Sequence, residues 1–174
     1  MYDQSPYKFI ADFNGKMNEI FTDKDYNPPL MNHENVNMKP SGDYKIYSTD
    51  IYISNSNFNM KIFFYEDAKY NFIKKIALVQ PNVNLRNTSY AQARYLISST
   101  IENLIGLSDK ERSELKNRLN AETKKYISQN GTAGMNISAK IPCESRMYFL
   151  NEKQYVDSKN NYVIIFESQA DAEF

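Results

Sequence analysis

Between residues 44 and 80 the chain alternates apolar and polar residues in three runs separated by short turns. Residues 44–54 are rich in Tyr and Ile, and Asn55-Ser56-Asn57 forms a turn. In residues 58–66, Met60, Ile62 and Phe64 fall at every second position; Asp67-Ala68-Lys69 then leads into 70–80, where Phe72, Ile76 and Leu78 can share one face. A period of two sends successive side chains to opposite faces of a strand, and connections this short join antiparallel neighbours. The stretch therefore predicts a three-stranded antiparallel meander with one buried face. Pro81 ends it, because proline has no N–H to give to the ladder.

Helical periods flank this meander. In residues 5–21, Phe9, Ile10, Phe13, Met17, Ile20 and Phe21 fall at helical spacing. Ser5-Pro6 fits an N-cap followed by proline at the first helical position, and Gly15 weakens the interior by about 1 kcal/mol. After Thr88, a stripe of Tyr90, Ala93, Ile97, Ile101, Leu104 and Ile105 predicts a second helix, stopped by Gly106. Ser108-Asp109-Lys110-Glu111 is a capping box, in which Ser and Glu side chains satisfy each other's free backbone donors. The helix it opens carries Leu115, Leu119, Tyr126 and Ile127 and closes at Asn130-Gly131. It is mostly polar and should lie on the surface with a narrow apolar seam.

Residues 22–43 hold Pro28-Pro29, Pro40, Gly42 and several Asn, and read as a long irregular connection. The last third returns to strands at 135–141, 146–150 and 162–167, with turns at Pro142-Cys143-Glu144 and 157–161. Val163-Ile164-Ile165-Phe166 has no polar face, as expected of an interior strand or one covered on both sides. These elements predict an α+β fold: a mainly antiparallel sheet of five or six strands, the meander plus C-terminal strands, with helices packed on one face. The organisation is an N-terminal helix and Pro/Asn-rich loop (1–43), an α+β domain (44–168) and a tail (169–174).

Composition limits the chemistry. The 174 residues include one histidine, His33, one cysteine, Cys143, and no tryptophan. A Cys–His pair would have to use these two side chains, and a His- or Cys-rich metal site cannot be built. His33 reads as a solvated loop residue beside Glu34, and Cys143 lacks the cationic surroundings of a reactive thiolate. Asp23 with Asp25, and Asp171 with Glu173, lack the Gly and spaced oxygens of a calcium loop. Gly131 and Gly134 sit in no phosphate-binding pattern. Asn87-Thr88-Ser89 and Asn136-Ile137-Ser138 match the glycosylation acceptor pattern, which is too short to carry weight. No cofactor and no metal is expected.

Lys plus Arg equals Asp plus Glu at 21 each, without the basic excess that phosphate neutralisation calls for, so no nucleic-acid partner is expected. No run approaches the roughly 18 apolar residues of a membrane span. One cysteine allows no internal disulfide, and no signal-peptide pattern opens the chain. A lipid anchor would require that an upstream leader had been removed.

The aromatic residues of the meander are the candidate binding residues: Tyr44, Tyr47, Tyr52, Phe63, Tyr65 and Tyr70. If helices cover one sheet face, some of these rings stand on the other, where they can stack a ligand or meet a partner. The competing explanation is strand propensity, since Tyr suits a half-buried pleated surface.

The order of elements adds a resemblance. A three-stranded meander is followed by a helix ending in Leu104-Ile105-Gly106, then by Leu107-Ser108-Asp109-Lys110-Glu111-Arg112 opening another. Asn161-Tyr162-Val163-Ile164-Ile165-Phe166-Glu167 makes a terminal strand. This resembles small, mostly uncharacterised α+β domains of lipoproteins and secreted proteins of low-GC Gram-positive bacteria, over residues 44–167. The chain differs in a polar strand region around Met147. The resemblance implies an extracytoplasmic or cell-surface setting and no catalytic residues.

The expected function is a non-enzymatic binding or protein-interaction module, working through the sheet face or the 22–43 loop. Its partner would be another protein or a second copy, and it should have no converging polar pocket. Two alternatives stand beside it. One is an intracellular accessory protein of a phage or mobile element acting on a host protein. The other is a small hydrolase with a carboxylate-based site, which needs a deep cleft holding perturbed acids.

Overall fold

The computed structural model describes residues 2–22, 27–82, 90–131, 134–143 and 148–170. Asp23, Asp25, Asn87, Thr88, Ser89, Glu144, Met147 and the tail from Asp171, all singled out above, lie outside the described residues. Three helices, α1 (Pro6–Ile20), α2 (Ala91–Leu104) and α3 (Asp109–Asn130), accompany one antiparallel sheet. Its strands are β1 (Pro29–Met31), β2 (Asn37–Ser41), β3 (Tyr44–Ile53), β4 (Asn59–Asp67), β5 (Ile73–Gln80), β6 (Asn136–Cys143), β7 (Tyr148–Val156) and β8 (Tyr162–Ala170). The fold is α+β, with eight strands where the sequence predicts five or six. They run β1-β3-β4-β5-β8-β7-β6, and β2 shares the outer edge of β3 with β1.

The meander forms as its alternation predicts, with Ile51, Met60, Ile62, Phe64, Ile76 and Leu78 fully buried. One register break departs from it. A bulge between Tyr65 and Glu66 pairs Glu66 with Ile73, so Phe72 precedes β5 and Ile73 takes the buried position. β8 lies between β5 and β7, which explains its uniformly apolar run.

The connection predicted over 22–43 contains β1 and β2. Both backbone polar groups of Met31 are taken by the Asn14 side chain on α1, whose Nδ2 donates to the carbonyl (2.9 Å) and whose Oδ1 accepts from the amide (2.8 Å). Pro29, Pro40 and Pro142 stand in β1, β2 and β6, the marginal strands of the sheet.

α1 starts where Ser5 Oγ accepts from the Lys8 amide with Pro6 at the first turn. It buries Phe9, Ile10, Phe13 and Met17, and Phe9 meets Phe64 edge to face with ring centres 5.3 Å apart. Ile20 is exposed. α2 buries Ile97 and Ile101, the stripe read from the sequence, and Gly106 (φ 83°) lets the Leu107 amide turn back to the Glu102 carbonyl. α3 opens with the predicted capping box, the Ser108 amide donating to Glu111 Oε2 at 2.7 Å and Ser108 Oγ accepting from the Glu111 amide. It fully buries Leu115 alone, while Ile127 is exposed and Arg118 donates to the Lys140 carbonyl of β6.

Cross-strand pairing sorts the sheet into rows. One row across the inner face reads Tyr47, Phe64, Ile76, Phe166, Glu152, Ala139; the next reads Thr49, Ile62, Leu78, Ile164, Gln154, Ile137. All three helices pack against this face. The outer face carries the intervening rows, among them Ser48, Phe63, Ala77, Ile165, Lys153, Ser138.

Candidate functional site

The six aromatic candidates do not form one surface. Tyr44, Tyr52, Phe63 and Tyr65 share the outer face, where Tyr44 and Tyr65 meet edge to face at 6.1 Å. Tyr47 points the other way, toward α1. Its ring meets Tyr7 at 5.9 Å and its hydroxyl donates to the buried Glu66 (3.3 Å). Tyr70 occupies the exposed turn between β4 and β5, with the Lys69 ammonium over its ring. On the outer face four rings are topped by lysines: Lys61 over Phe63, Lys75 over Tyr65, Lys140 over Phe149 and Lys153 over Tyr155. Lysine stems covering rings while the ammonium groups stay in water make a solvated face.

The other side of the sheet holds a different feature. A hollow of about 560 Å³ opens between α2, α3 and the inner face of β7 and β8. Helical period explains its walls. On α2, Arg94, Ser98 and Glu102 stand four residues apart beside the apolar stripe; on α3, Arg112, Lys116 and Thr123 repeat on one side. The floor is Glu152 and Gln154 of β7 with Tyr162 and Ile164 of β8. The expectation of no converging polar pocket is thus corrected. Glu152 occupies an inner-face position between Phe166 and Ala139, where strand parity turns its side chain into the molecule.

A relay of neutral groups runs along this floor. Tyr162 Oη donates to Gln154 Oε1 at 2.7 Å, and Gln154 Nε2 donates to Glu152 Oε1 at 2.6 Å. Glu152 is 1% exposed, yet its second oxygen, Oε2, has no hydrogen-bond partner. An unsatisfied buried polar atom costs about 1–3 kcal/mol, so the residue is not placed there for stability. At the other end of the relay, Arg94 lies over the Tyr162 ring (5.2 Å) and donates to Gln80 Oε1 at 3.0 Å.

Burial sets the protonation states. It pushes Glu152 up to about 8, helped by the negative charge of Glu102 and opposed by the Gln154 hydrogen bond. Burial raises Glu102 to about 7 against the pull of Arg112 and Lys116. Tyr162 rises to about 12 through burial, while the Arg94 guanidinium is lowered by burial. Near neutrality Glu152 is therefore mainly a carboxylic acid. Oε1 accepts from Gln154, and Oε2 is left without a partner.

His33, exposed between β1 and β2, and Cys143, buried at the end of β6, lie at opposite margins of the sheet. Six strand spacings separate those margins, roughly 29 Å, too far for joint chemistry. Among the described residues no cluster of three or more His, Cys, Asp or Glu could hold a metal ion, and no helix is long and apolar enough to cross a membrane. No protein-family model, curated protein or solved structure matches the chain.

Proposed function

We propose that the chain is a non-enzymatic binding protein whose ligand is a small polar molecule seated in the hollow under α2 and α3. One observation carries this reading: Glu152 lines the hollow, and its Oε2 is buried and unpartnered. A buried carboxyl in a row of core positions destabilises the fold unless a bound molecule completes its hydrogen bonding. The volume falls within the roughly 300–1,000 Å³ range of ligand clefts, and the lining mixes apolar walls with a few converging polar groups. The resemblance of residues 44–167 to domains of lipoproteins and secreted proteins of low-GC Gram-positive bacteria favours an extracytoplasmic setting.

Native mass spectrometry and thermal-shift measurements against a library of small polar metabolites test the reading. A binder is expected to raise the melting temperature of the protein and to lose that effect in Glu152→Leu. Failure of every library member to bind at millimolar concentration would overturn it.

A further inference from the structure

The hollow contains a guanidinium and an ionisable carboxyl that the fold keeps apart. Arg94 is half-buried, and its partners, Gln80 and the Tyr162 ring, are neutral; among the described residues no carboxylate lies within 4.0 Å of it. Glu152 is buried with a neutral partner, Gln154, and no cation. Between the two stand Tyr162 and Gln154, themselves joined by a hydrogen bond. A direct ion pair would relieve both groups, since removing charge from water is costly without an opposite charge nearby.

Simple ions fit this lining poorly. A lone cation held by Glu152 would face Arg94, Arg112 and Lys116, and a lone anion on Arg94 would face Glu102 and Glu152. A neutral molecule would leave the guanidinium and the carboxyl equally uncompensated. A molecule with two opposite charges complements both Arg94 and Glu152, which line the same hollow. Leu119, Ile137 and Ile164 then supply an apolar wall for its side chain.

We infer that the ligand is a zwitterion of the α-amino-acid type, its carboxylate held by Arg94 and its ammonium by Glu152 with Glu102 beside it. This rests on the hollow being a ligand site. Seating an ammonium on Glu152 requires the carboxylate form, so the carboxyl proton passes to the buffer as the ligand enters.

Isothermal titration of the intact protein with the free L-amino acids, their amides and their N-acetyl derivatives tests this. At least one free amino acid is expected to bind, with its amide and its N-acetyl form each weaker by about tenfold or more. Arg94→Gln should erase the preference for acid over amide, and Glu152→Gln the preference for free amine over N-acetyl. Proton release near neutral pH should make the binding enthalpy depend on the buffer. An amide or N-acetyl form binding as tightly as its parent would overturn the inference, and this comparison on the unmutated protein decides the matter even if a variant fails to fold. Binding of another polar metabolite but of no amino acid would overturn the zwitterion and leave the hollow as a site. Binding of nothing would overturn both.

Discussion

The two halves of the sheet use the same strand geometry to opposite ends. Under α1, the inner face of β3, β4 and β5 is filled by Ile51, Met60, Ile62, Phe64, Ile76 and Leu78, against which Phe9, Phe13 and Met17 pack. Under α2 and α3, the corresponding positions include Glu152, Gln154 and Ala139, and α3 fully buries only Leu115. Polar or small side chains meet polar helix stripes there, and a gap remains that no side chain fills. Close packing on one side supplies the stability that lets the other side carry a buried acid.

The contrast breaks or sharpens under a graded set of measurements. Phe64→Ala, in the filled half, is expected to cost about 3–5 kcal/mol by urea denaturation. A loss below about 1 kcal/mol would show that stability does not reside there. Glu152→Leu should instead stabilise the protein by about 1–3 kcal/mol at mildly alkaline pH, because an apolar group of similar size replaces an unsatisfied one. If this variant is less stable than the parent, the carboxyl contributes to the fold and the contrast fails.

Stability should also fall as pH rises from about 5 to 8. Folded Glu152 keeps its proton up to about 8, whereas the unfolded chain releases it near the ordinary glutamate value of 4.5. Its stabilising contribution is therefore complete below 4.5 and lost as pH climbs through 8, at up to about 1.4 kcal/mol per pH unit. Glu102 on α2 adds a slope of the same sign below about 7. Arg94 of α2, Arg112 and Lys116 of α3 and Tyr162 of β8 also face this region, and Tyr162, pushed up to about 12, keeps its proton across that range. Glu152→Gln should flatten most of the profile; a flat profile in the unmutated protein would show a hollow as well hydrated as the surface. The smallest effect is expected at the roof, where Ser108→Ala removes the capping box of α3 for about 1 kcal/mol. Circular dichroism on thermal melting checks it, and an unchanged melt would mean that α3 is held by its packing on β6 alone.

Much of the filled half was legible because its signal is binary. Met60, Ile62 and Phe64 recur at every second position, and Phe9, Phe13 and Met17 recur at helical spacing, so burial can be read by counting. The bulge at Tyr65 and Glu66 was not legible, since one extra residue changes parity without changing composition. β2 carries an exposed Asn-Met-Lys-Pro-Ser run, which shows no alternation at all. The hollow was hidden for a related reason. β7 was expected to end at Leu150, yet it continues through Glu152 and Gln154, whose neighbours Asn151 and Lys153 are equally polar. Two polar faces leave the alternation blank, and extending the parity of Leu150 by two and four residues was the one available clue. The cavity itself joins three distant segments, which no local pattern reports.

The prolines of the marginal strands carry a consequence for behaviour in concentrated solution. Pro29, Pro40 and Pro142 each delete an amide donor where a passing extended chain would otherwise hydrogen-bond, and Arg118 occupies a carbonyl on β6. Among the described residues, strand addition at either limit of the ladder is thus disfavoured. Pairing of copies is then left to side chains, with lysine-topped rings as the available contact, and should dissolve readily as salt or dilution varies.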